Sequence, residues 1–511
     1  MAKKKAKGPR VTWWDRRLAS IAPKWGERRV RAKITLAALS RTYDAATTSR
    51  RTSGWPRSTS DANASSRTAL GPLRELSRDL RRNNGWARRS AEVIVNNTVG
   101  WGIEAKAVAT SEKVAAQAAE VWKAWAGSKS ADYDGRLTFT GLQALVMATV
   151  VESGEALVMR VAANTADGLP SPWRIRVLEP DYLDTYRDGT TNDGNPIIQG
   201  IETDGKGRRL AYWLFGSHPG STDLATMSQN SFTSTRVPAS EIIHVYRSDR
   251  PGQMRGVPWL AAAITKLNDF EDYTDARLMQ QRIAACFGAV VTDINGETDS
   301  LGTQSTTDTQ LETLEPGMIL NIGPGKDVSL ITPPSTAGHS DFSTTELRQI
   351  AAAIGITYES MTGDYSKVNF SSARMGRLSH WQNVYSWRWL TIIPQLCDGV
   401  YGWVMEMAAA LNEWPEVPTA MWTAPPMPML EPDKEGLAVT RLVRSGALTF
   451  PEAIRQQGND PEAHMAEIAA SNAELDRLKI VLDSDPRRTS TAGLYQPPQA
   501  PGDPDSGGPA D

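Results

Sequence analysis

Cysteine is nearly absent from this 511-residue chain: Cys286 and Cys397 are the whole complement, and histidine numbers only five. Two thiols exclude a disulfide scaffold and a cysteine-rich zinc module. Both sit in apolar stretches and read as small buried hydrophobes, compatible with a reducing compartment. His218, His244, His339, His380 and His464 are scattered without zinc spacing, H-E-x-x-H included, and read as surface or packing residues. Phosphate-binding motifs are missing as well. No G-x-x-x-x-G-K-[ST] occurs, and GPGKD (323–327) has the wrong spacing and no hydroxyl after Lys326, so no P-loop holds ATP. No G-x-S-x-G nucleophile elbow appears. The apolar run IAACFGAVV (283–291) falls far short of the roughly 18 to 20 residues that span a bilayer. No apolar core follows the basic N-terminus, so no signal peptide is expected and the chain reads as soluble, without membrane contact. No catalytic residue, metal site or cofactor is expected.

What is present begins with a charge polarity. Residues 1–90 hold 23 Lys or Arg against 6 acidic residues, whereas residues 91–511 hold 33 against 52. A basic arm on an acidic body suggests contact with nucleic acid or an acidic protein surface; a solvated arm is the plainer alternative. MAKKKAKGPR reads as disordered, and TTSRRTSGWPRSTSDANASSRTALGP (47–72) as a loop or extended arm. Order is expected from Leu73, with helix on both sides of a break near Asn83–Gly85 and an amphipathic helix over 111–127, capped by Ser111 and stopped by Gly127. After a helix near 140–152 the pattern turns to strands, with a hairpin at Asp204–Gly207 and a last strand in EIIHVYR. The fold class is therefore α+β, mainly helical.

Residues 258–287 read as one long helix opened by Pro258. Its acids Asp269, Glu271, Asp272 and Asp275 raise the possibility of a two-metal nuclease, but such a site needs acids converging from several elements. Interleaved with Lys266, Arg277 and Arg282, they read as a solvated or interface face. Strands are expected in GMILNI and DVSLIT, and helix again over 344–356. A polar loop, GDYSKVNFSSARMG (363–376), precedes the strongest periodicity in the chain. Leu378, Trp381, Tyr385, Trp389, Ile392, Leu396, Val400, Trp403 and Met407 form one apolar stripe along a helix of 373–411, with a kink expected at Pro394. A Pro-rich connector (415–432), a small helical region and a disordered tail complete the chain.

Several stretches carry a resemblance. RTYDAA (41–46), LRELSRDLRRNNGWARRSAEVIVNNTVGWGI (73–103), HVYRSDRPGQMRGVPWLA (244–261), LEPGMI (314–319), GITYESMTGDYSKVNFSSARMG (355–376) and WRWLTIIPQLCDGVYGWV (387–404) follow the order seen in the lambda-type portal proteins of tailed bacteriophages. The chain resembles that family over about residues 35–410, departing from its pattern at Lys367 and Phe370. The resemblance implies a virion protein, assembled in the host cytoplasm. It would be a homo-oligomeric ring, usually a dodecamer, at one capsid vertex, through which double-stranded DNA is packaged and ejected. Its implied partners are the terminase packaging motor, capsid or scaffold protein and a head-completion or tail adaptor. It also implies a division into a basic arm (1–72), a wing (73–257), a first stem helix (258–287), a clip (288–341) and a second stem helix (342–361). A channel loop (362–372), a long kinked helix (373–414), a crown (415–485) and a tail (486–511) follow. On this reading Tyr365, Ser366, Lys367, Asn369 and Ser371 face the DNA, and the motor, a separate protein, supplies ATP hydrolysis.

Overall fold

Asn84 divides the first long helical stretch in two, as the polar break in the sequence suggests. Its backbone is extended and its side chain accepts hydrogen bonds from the amides of Trp86 and Ala87, closing one helix and opening the next. The computed structural model describes residues 59–163, 168–222, 233–285, 289–293, 326–330, 338–482 and 487. The chain divides into two units, Met1–Asp61 and Ala62–Asp511, and every element named below lies in the second. The expected basic arm up to residue 58, the tail (486–511) apart from residue 487, the strand GMILNI and Cys286 lie outside the described residues, as does most of the expected clip.

The elements run α1 (Ala62–Ser66), α2 (Leu70–Asn83), α3 (Gly85–Thr98), β1 (Glu104–Val108), α4 (Glu112–Ala126), α5 (Phe139–Ser153), β2 (Glu155–Ala162) and β3 (Trp173–Leu178). Next come β4 (Gly189–Thr190), β5 (Pro196–Ile198), β6 (Ile201–Thr203), β7 (Arg209–Phe215), β8 (Ser234–Pro238) and β9 (Ile242–Tyr246). They are followed by α6 (Ile264–Ala285), β10 (Ala289–Asp293), β11 (Lys326–Leu330), α7 (His339–Ile354), α8 (Tyr358–Thr362) and α9 (Phe370–Trp387). A π-helical segment, Arg388–Cys397, joins α9 to α10 (Asp398–Leu411); β12 (Thr419–Thr423), α11 (Pro432–Arg444), α12 (Phe450–Gln456) and α13 (Pro461–Leu478) end the described chain.

Four antiparallel sheets result, in strand orders β3-β2-β9, β4-β5-β6-β7-β8, β1-β12 and β10-β11. The β6–β7 hairpin turns where the sequence places it, Asp204 accepting from the amides of Lys206 and Arg208. The large core joins α3, α4, α5 and α10 and holds an aromatic cluster in which Trp122 stacks on Trp125, meets Phe139 and Trp422 edge-on and tilts against Tyr401, 4.9 Å away. A smaller core, including Leu157, Ile201, Tyr212 and Ile242, lies between the two larger sheets.

The structure departs from the sequence reading in several places. Helix is already present at Ala62–Ser66 and Leu70, ahead of the expected boundary at 73. The long helix begins at Ile264, because Pro258–Ala263 form successive turns before it. The helix expected over 344–356 runs from His339 to Ile354 and ends at Gly355, whose φ of 88° is left-handed and suits a residue without Cβ. The span 342–361 that the resemblance gives to one stem helix therefore holds two. Ser111 begins α4 without a side-chain bond; the Glu416 carboxylate takes the amides of Thr110 and Ser111 instead. Finally, the long stripe is not one face. Trp381, Ile392, Leu396 and Val400 are buried, but Leu378, Tyr385 and Trp389 are roughly half exposed, and the buried face above the π segment is Trp381, Val384 and Trp387. A π turn holds more residues than an α turn, so a stripe counted through Pro394 at α spacing loses phase there.

Candidate nucleic-acid interface

The polar loop hangs between α8 and α9, and local bonds shape it. Gly363, at φ 72°, ends α8. Asp364 then accepts from the side chain and the amide (3.0 Å) of Ser366 and from the Tyr358 hydroxyl (3.0 Å), and these bonds hold its carboxyl below the usual range. Asn369 and Ser372 form a capping box: Asn369 Oδ1 accepts from Ser372 N at 2.8 Å and Ser372 Oγ accepts from Asn369 N at 3.2 Å. The helix therefore starts at Phe370, three residues before the position expected from its apolar pattern.

This geometry sorts the five candidate contacts. Tyr365, 62% exposed, and the exposed Ser366 and Ser371 present their side chains to solvent. Lys367 Nζ lies 3.5 Å from Asp341 Oδ1 of α7, but both side chains are largely exposed, so the pair is weak and the amine is available. Asn369 is exposed too, yet its carbonyl oxygen is committed to the cap. The loop thus gathers hydroxyls and one cation per chain on a short, self-bonded turn.

The acids of α6 point to solvent. Asp269, Glu271, Asp272 and Asp275 are exposed; Glu271 accepts from Asn84 Nδ2 and Asp272 from Asn268 Nδ2. Among the described residues, the three groups close enough to share a cation are Glu179, Asp181 and His218, and the Arg78 guanidinium already sits against both carboxylates there.

The residues that sequence reasoning missed are buried charges. Glu155, fully buried at the start of β2, receives Arg255 Nε (2.8 Å) and Nη2 (2.6 Å) and Arg74 on Oε1. Its Oε2 takes Gly256 N (2.7 Å) and His244 Nε2 (2.8 Å). Burial opposes the Glu155 charge, but Arg255 and Arg74 outweigh it and hold the carboxyl well below its ordinary range. Burial pushes His244 down to about 4, against its bond to Glu155, so the ring is neutral near pH 7 and donates through Nε2. Burial brings Arg74 to about 10, against the pull of Glu155.

The stretch RPGQMRGVPWLA (250–261) therefore supplies two partners of this knot. Gln253 Oε1 accepts from Asp249 N and Arg250 N, and its Nε2 donates to Arg255 O, folding the turn that delivers Arg255. Gly256 packs against Gly154 so closely that a Cβ at 256 would stand 2.1 Å from Gly154 O. A second buried cation, Arg388, donates to Thr98 O, Asn97 O and Pro425 O, each at 2.7 Å, and lies over the Trp381 ring. Burial lowers its pKa to about 10. It ties the π segment to the C-terminus of α3, where helix carbonyls favour a cation.

Comparison with known proteins follows from these elements. Residues 48–388 match the profile of a family described as phage portal protein, lambda family. A probable portal protein of Halomonas phage phiHAP-1 is 25% identical over 435 residues, which cover 80% of this chain and 81% of that protein. Portal protein B of Escherichia phage lambda is 24% identical over 347 residues, or 59% and 62% of the two chains. Among solved structures, a chain from the neck of a native GTA particle computed with C12 symmetry aligns with a TM-score of 0.47 and 14% identity. That alignment covers 75% of this chain and 94% of the other.

Proposed function

The chain belongs to the lambda family of phage portal proteins, and we propose that copies of it close head to tail into a ring, expected to be dodecameric, at one vertex of a capsid. The ring is the head–tail connector through which double-stranded DNA enters during packaging and leaves on ejection. In this reading α2 to β9 form the wing, α6 and α7 with α8 the two stem helices, and β10–β11 belong to a clip that docks the terminase motor and later a tail adaptor. The loop over 362–372 lines the channel, the helical path from α9 through α10 carries the crown, and capsid or scaffold protein meets the outer surface. The protein does no chemistry of its own.

The loop is the observation that carries this reading. Its exposed polar side chains are hydroxyls, the Asn369 amide and a single loosely paired lysine, beside the exposed Phe370 ring. Affinity for a duplex grows steeply with the number of phosphates neutralised, through release of counterions. A channel must touch the backbone without gripping it, and such sparse, sequence-blind contacts suit that task. The acidic balance of residues 91–511 works in the same direction by repelling the polyanion.

The test is a deletion chosen so that the helix cap survives. Removing 364–368 leaves the Asn369–Ser372 capping box, so α9 still starts at Phe370. Rings are expected to assemble normally, while packaged or retained DNA falls to background in an assembly assay. Genome packaging at the level of the intact chain would overturn the role given to the loop.

A further inference from the structure

A cavity of about 300 Å³ opens beside the polar loop, between the C-terminus of α3, α8, the first half of α9 and the connector before α11. His380 of α9 lines it and is buried, yet neither of its ring nitrogens has a hydrogen-bond partner among the described residues. The Gly355 carbonyl nearby is taken by Asn383 Nδ2 at 2.9 Å. Burial lowers the pKa of the ring, against the pull of that carbonyl, so the imidazole is neutral and offers one donor and one acceptor. Two charged groups share the lining. No hydrogen bond or ion pair reaches the Glu359 carboxylate among the described residues. The Arg377 guanidinium gives one N–H to Pro428 O and has the others left. Gly376 keeps the space open. It stands inside α9, where glycine weakens a helix, although a Cβ there would meet nothing outside its own helix nearer than Thr357 Cγ2 at 4.0 Å. Tyr365, 62% exposed, stands at the mouth.

We propose that this cavity receives one unpaired nucleobase carrying an exocyclic amino group, held along its edge by Glu359, His380 and Arg377 behind Tyr365. The inference rests on reading the loop as DNA-facing, and deepens it. The lining chooses among ligands. A phosphate or other anion would meet the unpaired Glu359 carboxylate. A metal ion is poorly served, because among the described residues Glu359 and His380 belong to no group of three ligands close enough to share one. A base presents donors and acceptors side by side on one flat edge, and the volume admits a single heterocycle. Its amino group gives Glu359 the donor that it lacks. Its carbonyl or ring nitrogen accepts from His380 or Arg377, and its face lies on the Tyr365 ring, as unpaired bases do on aromatic side chains. Base pairing hides that edge, so a closed duplex passes the loop unread while a single strand or an opened duplex end is caught.

Fluorescence anisotropy with dye-labelled single-stranded pentamers of deoxycytidine and of thymidine tests this on the full chain. Cytosine carries the amino group and thymine a carbonyl in its place. The two probes have the same charge, so whatever the basic N-terminal residues contribute cancels in their ratio. The deoxycytidine pentamer is expected to bind about tenfold tighter, and the preference is expected to vanish in His380→Leu and in Gly376→Leu. The first removes a buried group that has no partner, so its urea midpoint is expected to be no lower than the parent's. The second fills the cavity with a good helix former. Equal binding of the two probes by the parent, or a preference that survives both substitutions, would overturn the role given to the cavity. Electron micrographs of the same samples report ring closure separately. Rings without a base preference remove this inference alone, and a base preference without rings upholds the cavity against the ring.

Discussion

Glu155→Ala is expected to cost about 4 kcal/mol of stability, the order found when one partner is removed from a buried ion pair. The variant leaves Arg74 and Arg255 buried in a site that no other carboxylate reaches among the described contacts, and it also strands Gly256 N and His244 Nε2. Charge, rather than volume, is the damaging loss. Glu155→Gln keeps shape and one acceptor, so it separates the two: it is expected to recover only a minor part of the deficit. Urea unfolding followed by far-UV circular dichroism reads the effect as a drop in midpoint. An unchanged midpoint in Glu155→Ala would mean that the knot contributes nothing to the stability of the fold.

Arg388→Met should lower stability by about 3 kcal/mol, since three backbone carbonyls lose a charged donor while the aliphatic volume remains. The cost of burying the guanidinium is recovered in the variant, which is why the loss is smaller than three charged hydrogen bonds would suggest. The consequence is also positional. Arg388 fixes the π segment against the C-terminus of α3 and the connector at Pro425, and Pro394 supplies no amide of its own to hold that segment. Amide exchange in residues 388–397 is expected to accelerate in Arg388→Met more than in α4 or α5. Uniform exchange rates with an unaltered unfolding midpoint would contradict the role assigned to this residue.

The parts of the fold legible in the sequence are those governed by local periodicity. The helix over 111–127, the break at Asn84 and the Asp204–Gly207 hairpin all depend on residues within a few positions of one another, and the structure places them where the sequence does. Elements decided by distant partners were not legible. β1 and β12 pair Glu104–Val108 with Thr419–Thr423, two short segments without strong β character, more than three hundred positions apart. Glu155 and Arg255 read as ordinary charges until the fold places them 2.6 Å apart in the core. The apolar stripe after the loop failed for a different reason, because the π segment shifts the helical phase between Trp389 and Ile392.

The candidate site divides along the same line. A polar, hydroxyl-rich loop before a helix was evident, but the apolar pattern drew the helix start at 373 instead of Phe370, because the Asn369–Ser372 cap was not read from the sequence. The pairing of Lys367 with Asp341 needed the third dimension, since Asp341 stands 26 positions earlier, on α7. The motif around Arg255 likewise revealed its part only in space: it brings Arg255 and Gly256 onto the buried Glu155 carboxylate.

Cryo-electron microscopy of the purified full chain, viewed along the particle axis, tests the central claim most directly. Closed rings with an open centre, the loop at 362–372 facing the hole and α6 on the same side of each subunit, are the predicted result. A population of single compact chains across the salt and concentration range that supports capsid assembly would contradict the account.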